Sequence, residues 1–162
     1  MVLGHSRILE EIKKRNLIEG VPESSIGGSG VDLRAKTFYR LRTPGELLSD
    51  KRTMPEITEV KENVLILKPG EYVLVETIEK VNMPSEIMAL VYNRSSLFRC
   101  GMSLRTAVVD PGYKGTLTFG LKNESEKEAR VERGARVCQI VFYEIGGTTK
   151  LYEGKYQGGK VV

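Results

Sequence analysis

The sequence is poor in the residues that much metal and nucleophile chemistry uses. Its 162 residues include one histidine, two cysteines and no tryptophan. A lone His5, with Cys100 and Cys138 far apart, cannot supply the His-x-Glu and Cys-x-x-Cys arrangement of a zinc-dependent base deaminase. His5 also has no evident carboxylate to orient it, which argues against a serine or cysteine triad. The cysteine spacing suggests no disulfide framework, so both thiols are expected to be reduced.

Long apolar runs and dense basic runs are absent as well. No stretch approaches the roughly 18 to 20 apolar residues of a membrane-spanning helix, and the N-terminus lacks the layout of a signal peptide. The net charge is +4, from 25 Lys and Arg against 21 Asp and Glu. These features predict a cytoplasmic protein without a membrane or a polymeric nucleic acid as partner, and they suit a small anionic ligand.

Apolar spacing predicts one helix and many short strands. A helical pattern follows Ser6, a suitable N-cap, and predicts a helix over residues 6–17. Most of the remaining sequence alternates over short spans broken by Gly and Pro, which predicts an all-β sandwich or barrel. The clearest spans are Glu71–Ile78, Glu86–Tyr92, Thr116–Leu121 and Arg136–Tyr143.

The length fits one ordinary domain, which we assign to residues 1–145. Residues 146–162 hold five of the 17 glycines and are predicted to form a flexible tail. Residues 43–61 contain two prolines and many charges and are expected to be an irregular surface excursion, to which no chemistry is assigned.

The most informative stretch is Asn93–Arg99, which places two arginines and two serines within six residues. Guanidinium groups bind phosphate oxygens through two hydrogen bonds, and hydroxyl groups donate to the same oxygens. This composition is what a triphosphate site requires. The candidate phosphate ligands are Arg94, Ser95, Ser96 and Arg99.

A second motif, Asp110–Gly115, follows closely along the chain. Asp-Pro-Gly is typical of a tight turn, and a turn alone would account for Asp110. However, an ionised aspartate beside phosphate ligands could also accept a proton from a water held near a phosphorus atom. A β-hairpin is expected to bring the two motifs to one rim of the barrel.

Two glycine-rich segments add weaker signals. Gly27–Arg34 lacks the Lys-Ser/Thr ending of a P-loop; its glycines indicate close backbone approach, and Asp32 is a candidate outer-sphere ligand for Mg²⁺. A flexible connection explains the same residues equally well. The tail combines aromatic rings, cations and an amide between glycines, as a lid over a nucleotide would, although disordered basic tails are also common. Its candidate contacts are Tyr152, Lys155, Tyr156 and Gln157.

Taken in order, these motifs resemble those of the deoxyuridine triphosphatase and deoxycytidine triphosphate deaminase superfamily, over about residues 30–159. The resemblance implies a distorted jelly-roll-like β-barrel, magnesium as cofactor, and a homotrimer with active sites shared between subunits. The matching segments are Gly30–Leu33, Arg94–Ser96, Val109–Gly115 and Gly134–Gln139.

Residue identities favour one branch of the superfamily. The stretches Arg94–Arg99 and Tyr156–Gly158 are similar to the deaminases. The deaminases, however, carry a catalytic glutamate where this sequence has Gly120, and an arginine where it has Val108. Asp110, the family's water activator for triphosphate hydrolysis, is present. The chain therefore most resembles an archaeal-type deoxyuridine triphosphatase of the deaminase-like branch.

The implied reaction is attack of a water oriented by Asp110 on the α-phosphorus of dUTP, which gives dUMP and pyrophosphate. Tyr113 would pack under the deoxyribose, although it would also suit the core. Backbone groups of the hairpin from about Lys114 to Thr118 would read uracil. Gln139 would join the phosphate ligands, and Asp32 would hold magnesium through water.

Two alternatives stay open. A dCTP deaminase, or a bifunctional dCTP deaminase and dUTP diphosphatase, would need a substitute glutamate, such as Glu124 or Glu126. A non-catalytic nucleotide-binding module would have no need of a carboxylate beside phosphates. In addition, the glycine-rich fifth motif of trimeric deoxyuridine triphosphatases, with its arginine and phenylalanine, is absent in that form.

Overall fold

A computed structural model describes residues 1–162. It contains two α-helices, one 3₁₀ turn at Glu23–Ser25, and thirteen strands. The helices are α1 (His5–Arg15) and α2 (Ser95–Arg99), and the strands are β1 (Ile18–Glu19), β2 (Val31–Leu41), β3 (Glu46–Leu47), β4 (Arg52–Thr53), β5 (Ile57–Glu59), β6 (Val64–Leu67), β7 (Tyr72–Asn82), β8 (Ile87–Asn93), β9 (Met102–Arg105), β10 (Val108–Val109), β11 (Lys114–Asn123), β12 (Ala129–Glu132) and β13 (Arg136–Glu144).

Nine strands form one antiparallel sheet that curls into a half-barrel. The strand order is β10-β8-β13-β2-β7-β11-β9, with β1 beside β7 and β5 beside β2. Register shifts occur within the pairs β2–β7, β11–β7 and β13–β2. Such bulges bend and twist the strands, which curves the sheet. The predicted all-β, barrel-like fold is confirmed.

Strand burial follows the alternation of the sequence. In β6, Leu65 and Leu67 are buried while Val64 and Ile66 are exposed. The 31 buried apolar side chains form a single cluster, so the chain has one core. Ile8 of α1 is fully buried in it. No helix is both long and apolar enough to cross a bilayer.

The predicted N-terminal helix exists, but both its ends are displaced from residues 6–17. Gly4 is the N-cap, in extended conformation and without a side-chain cap, so Ser6 lies inside the first turn. Asn16 adopts the left-handed conformation with φ 55°, and its N–H bonds back to Ile12, which ends the helix at Arg15.

Two segments outside the core take defined positions. Residues 43–61 form the exposed hairpin β3–β4 and then β5, which adds to β2, so this excursion is not wholly irregular. Residues 146–162 contain no helix or strand and fold back against the turn between β10 and β11.

Candidate active site

The Asp-Pro-Gly sequence forms a tight turn that connects β10 to β11. The Asp110 carbonyl accepts a hydrogen bond from the Tyr113 N–H at 3.2 Å, and Gly112 has φ 82°. Proline at the second turn position and a glycine with positive φ at the third are the features of a type II turn. The predicted turn is confirmed, and it leaves Asp110 exposed.

Asp110 lines an open pocket of about 500 Å³ whose lining is mostly apolar. Whereas Asp32 is held by two guanidinium groups, no cation or side-chain donor of the protein holds the Asp110 carboxylate. Met54 and Pro55 form part of the wall, so the excursion of residues 43–61 contributes to the site. Thr118 also lines the pocket, and its buried Oγ1 has no hydrogen-bond partner.

Tyr113 lies between the core and the pocket. Its side chain is buried, its hydroxyl donates to the Thr116 carbonyl, and its ring meets that of Tyr152 edge-on at 5.3 Å. Burial, followed by the neighbouring Tyr152, raises the pKa of Tyr113 to about 12. The phenol therefore stays protonated and offers packing and polarity rather than charge.

Gln157 attaches the tail to the hairpin. The Lys114 N–H donates to Gln157 Oε1 at 2.8 Å, and Gln157 Nε2 donates to the Gly112 carbonyl at 3.0 Å. The Gly158 N–H also donates to the Lys114 carbonyl at 2.8 Å. The amide of Gln157 thus occupies the Lys114 N–H, one of the backbone groups that the resemblance assigns to uracil.

The other predicted tail contacts lie nearby. Tyr152 and Tyr156 both line the pocket, and the Tyr156 N–H donates to Tyr152 Oη at 3.2 Å. Lys155 is exposed, with its ammonium 4.9 Å from the centre of the Tyr156 ring. The structure thus brings together Asp110, Tyr113, Lys114, Thr118, Tyr152, Tyr156 and Gln157, with Lys155 at the edge.

The remaining predicted ligands form a second cluster where β2, β13 and β8 adjoin. Asp32 pairs in register with Gln139. The Asp32 carboxylate lies 3.1 Å from Arg94 Nε and 3.4 Å from Arg136 Nη1. Sequence reasoning gave Arg136 no role, because only the bulge between Arg136 and Cys138 turns it to the face of Gln139.

The close backbone approach expected at the glycine-rich segment occurs at Gly30. A Cβ there would lie 2.6 Å from the Ile140 carbonyl oxygen and 3.0 Å from Gln139 Cγ. Only glycine lets the segment lie against β13 beside the second cluster.

Ser95, Ser96 and Arg99 belong to α2, a short helix that the sequence does not predict. All three side chains are exposed. Arg99 lies 5.2 Å from the centre of the Phe98 ring, and no acidic side chain neutralises it. These groups are free to bind an anion.

The two clusters do not meet within one chain. Val109 pairs with Ala89 near the start of β8, while Arg94 follows the last residue of that strand, Asn93. Asp110 follows Val109 and so lies level with Met88, and the six strand steps from Met88 to Arg94 span ~20 Å. The expectation that one hairpin brings both motifs to the same rim is therefore wrong for a single chain, because the register of β10 places Asp110 at the far end of β8.

The residues at the second cluster fit magnesium only as an ion that arrives with phosphates. No group of three or more His, Cys, Asp or Glu side chains could hold a metal ion. Asp32 is the single carboxylate of the cluster, and both its oxygens face guanidinium groups. Mg²⁺ keeps several waters and accepts one carboxylate together with substrate phosphates; Asp32 suits that water-mediated role.

Neither glutamate proposed for deamination lies in the pocket. Glu124 accepts from Ser103 at 2.8 Å and pairs with Lys122 and Arg105, each at 2.9 Å. The Lys122 ammonium, more than any other group, lowers the pKa of Glu124. Glu126 is exposed in the turn after β11. The position of the deaminase glutamate, Gly120, is covered by the ring of Tyr72.

Comparison with known proteins agrees with this description. In solved structures the fold occurs in the 2′-deoxycytidine 5′-triphosphate deaminase from Agrobacterium tumefaciens, with a TM-score of 0.70 and 20% identity, over 90% of this chain and 48% of that one. The chain thus spans about half of that deaminase. The class of the protein is a dUTPase-like β-barrel.

The chain belongs to the dCTP deaminase-like family, whose model matches residues 2–145. It is 36% identical to a probable deoxyuridine 5′-triphosphate nucleotidohydrolase of Methanothermobacter thermautotrophicus, over 83% of this chain and 89% of the relative. It is 34% identical to a dUMP-forming dCTP deaminase of Hydrogenobaculum sp., over 90% and 83%. The chain is therefore similar, over most of its length, both to a probable nucleotidohydrolase and to a deaminase.

Proposed function

We propose that the protein hydrolyses dUTP to dUMP and pyrophosphate. The observation that carries this proposal is Asp110, an exposed carboxylate without a protein partner at the wall of a pocket of nucleotide size. The similarity to archaeal nucleotidohydrolases supports the same reaction. We also propose a cytoplasmic location, which a soluble deoxynucleotide substrate supports.

In this reaction Asp110 orients a water and accepts its proton as the water oxygen attacks the α-phosphorus of dUTP. The bond from that phosphorus to the bridging oxygen breaks, and pyrophosphate leaves. A positioned base of this kind contributes a factor of about 10² to 10⁴ in rate. Positive charge near the phosphates stabilises the charge that develops in the transition state.

The pocket side of the site holds the nucleoside. Tyr113 packs under the deoxyribose, where its buried ring leaves no room for a 2′-hydroxyl. Backbone groups of Lys114 to Thr118 read the base, and the Lys114 N–H becomes available when Gln157 moves from the position it occupies here. The tail then closes over the substrate and brings Tyr152, Lys155, Tyr156 and Gln157 to the nucleotide.

The second cluster holds the triphosphate. Ser95, Ser96 and Arg99 are exposed and have no anionic partner of their own, which supports this assignment, whereas Arg94 would exchange its pairing with Asp32 for a phosphate. Magnesium, held through water by Asp32, would neutralise phosphate charge when bound. The proposed phosphate ligands are Arg94, Ser95, Ser96, Arg99 and Gln139.

Because the two clusters lie ~20 Å apart in one chain, we place each active site between copies of the chain in a homotrimer. Asp110 of one subunit faces the phosphate ligands of its neighbour. A heterologous contact of this kind closes into a ring when the rotation permits.

One product analysis separates the open alternatives. The protein is incubated with dUTP or dCTP and Mg²⁺, and nucleotides, pyrophosphate and ammonia are resolved. We expect pyrophosphate and dUMP from dUTP, a kcat about 10³-fold lower for Asp110→Asn, and an unchanged kcat for the matched control Asp50→Asn, an exposed aspartate outside the site.

Ammonia released from dCTP would show a deaminase or bifunctional enzyme and contradict a hydrolase alone. Nucleotide binding without any product would show a binding module. Full pyrophosphate release by Asp110→Asn would refute the assignment of the base.

A further inference from the structure

Tyr72 occupies a position in the pocket to which the sequence assigns no role. It begins β7 and pairs in register with Lys122 of β11. Successive residues of a strand alternate between faces, so Tyr72 lies on the same face of the sheet as Gly120 and Thr118. All three line the pocket that contains Asp110.

The ring of Tyr72 lies directly over Gly120. A Cβ at position 120 would overlap the Tyr72 hydroxyl and two of its ring carbons. Gly120 has an ordinary negative φ, so the backbone does not require glycine there. A side chain at position 120 would displace the Tyr72 ring, so glycine at this position lets the ring lie where it does.

Two polar atoms on this face have no partner in the protein. The Tyr72 hydroxyl makes no hydrogen bond, and the buried Thr118 Oγ1 makes none either. Fourteen of the 20 lining residues are hydrophobic. Tyr72 is 40% exposed, so water satisfies its hydroxyl in the free protein, whereas the buried Thr118 Oγ1 lacks a partner; both hydroxyls are available to a ligand that enters the pocket.

We propose that Tyr72 is a specificity-determining residue, whose hydroxyl donates a hydrogen bond to the 4-keto oxygen of uracil, beside the hydroxyl of Thr118. This inference rests on the proposed dUTP site and names how that site selects its base. A flat aromatic ring with a polar end suits a heterocycle that is apolar on its faces and polar at its edge.

The choice of a keto oxygen follows from the proton on the phenol. Burial raises the pKa of Tyr72 against the opposing effect of Arg105, so the phenol stays protonated at neutral pH. The 4-keto oxygen of uracil accepts a hydrogen bond from this phenol. The amino group of cytosine has only protons to offer in the same place, so Tyr72 would have to turn its own proton to another acceptor, and the bond would be weaker.

The test compares Tyr72→Phe with wild type. One neutral hydrogen bond corresponds to about a fivefold effect. We expect KM for dUTP to rise about fivefold with kcat within about twofold, because the reacting phosphorus is remote from the base. The preference for the non-hydrolysable α,β-imido analogue of dUTP over that of dCTP should fall by about the same factor.

The matched control is Tyr143→Phe, which removes a hydroxyl outside the pocket and should leave each value unchanged. Gly120→Ala should reproduce the loss by displacing the ring. In the double variant, KM for dUTP should rise by much less than the product of the two single-variant factors, because both substitutions remove the same contact.

Unchanged KM and unchanged analogue preference in Tyr72→Phe would overturn the assignment. The analogue measurement does not depend on turnover. Wild-type protein that binds the analogues but releases no pyrophosphate would refute the proposed hydrolysis, while the affinity ratio would still decide the role of Tyr72.

Discussion

At the scale of single residues, the carboxylates that hold the fold differ from the one at the wall of the pocket. Glu79 is fully buried and accepts from Arg34 through both its backbone N–H and its Nε. Glu86 is bonded to Ser85 and Arg15. Asp110 has no such partners, although it lines an apolar pocket. A charged group left free in that position is available to a substrate.

The Glu86 carboxylate is expected to make the stability of the folded protein depend on pH in the acid range. Hydrogen bonds from Ser85, and then from Arg15, lower its pKa from 4.5 to about 2. The folded state therefore favours the ionised form, and the stability that this gives is complete above the ordinary pKa and is lost as pH falls toward the folded value.

We expect the free energy of unfolding of the wild type to fall relative to that of Glu86→Gln between about pH 5 and pH 2. Urea unfolding at several pH values measures this difference. Glu126→Gln, at an exposed site, is the control. Wild-type and Glu86→Gln curves that stay parallel through this range would contradict the effect of Ser85 and Arg15.

At the scale of elements, the contact between the β11 hairpin and the tail depends on the absence of a side chain at Gly115. Gly115 has φ 141°, and a Cβ there would lie 2.5 Å from the Gly159 nitrogen. Gly134 also has a positive φ, 86°, but nothing lies within 4 Å of the same position. Substitutions at these two positions therefore distinguish the effect of backbone strain, which both share, from the effect of blocking the tail, which only Gly115 would show.

Gly115→Ala and Gly134→Ala should each lower the free energy of unfolding by about 1 kcal/mol or more, through strain at positive φ. Only Gly115→Ala should also speed tryptic cleavage at Lys150 and Lys155 and lower kcat/KM for dUTP. Equal cleavage rates in the two variants would show that the tail does not need this contact.

Sequence patterns predict the elements better than their relations. Alternation locates β7, β8, β11 and β13 to within a few residues, because each has one face toward the core. The hairpin β3–β4 has no such face and leaves no periodic signal. The register of β10 against β8, which separates Asp110 from Arg94, depends on pairing between distant segments that no local pattern encodes.

The same limit applies to the candidate site. Asp110 and its turn are visible in the sequence because Asp-Pro-Gly has its own local geometry. The sequence does not predict the position of Arg136, because a bulge changes the face on which it lies. It does not predict the position of Tyr72 either, because the ring lies over Gly120 of a neighbouring strand. These two residues acquire their positions from contacts across strands.

At the scale of the whole molecule, one chain contains two separate clusters of candidate site residues. Asp110 and the pocket lie at one end of β8, and the proposed phosphate ligands lie at the other. Under the function we propose, each working site combines one cluster from each of two copies of the chain. Arg99 is a suitable probe of the proposed phosphate ligands, because its side chain is exposed and lies beside the Phe98 ring without an ion pair.

The most direct test of this account is complementation between two inactive variants. Asp110→Asn and Arg99→Ala are each assayed for pyrophosphate release from dUTP, then co-refolded in equal amounts. In a ring where each site takes Asp110 from one subunit and Arg99 from the next, about one quarter of the sites contain both intact residues. The account predicts recovery of about one quarter of wild-type activity; a mixture no more active than its separate components would contradict it.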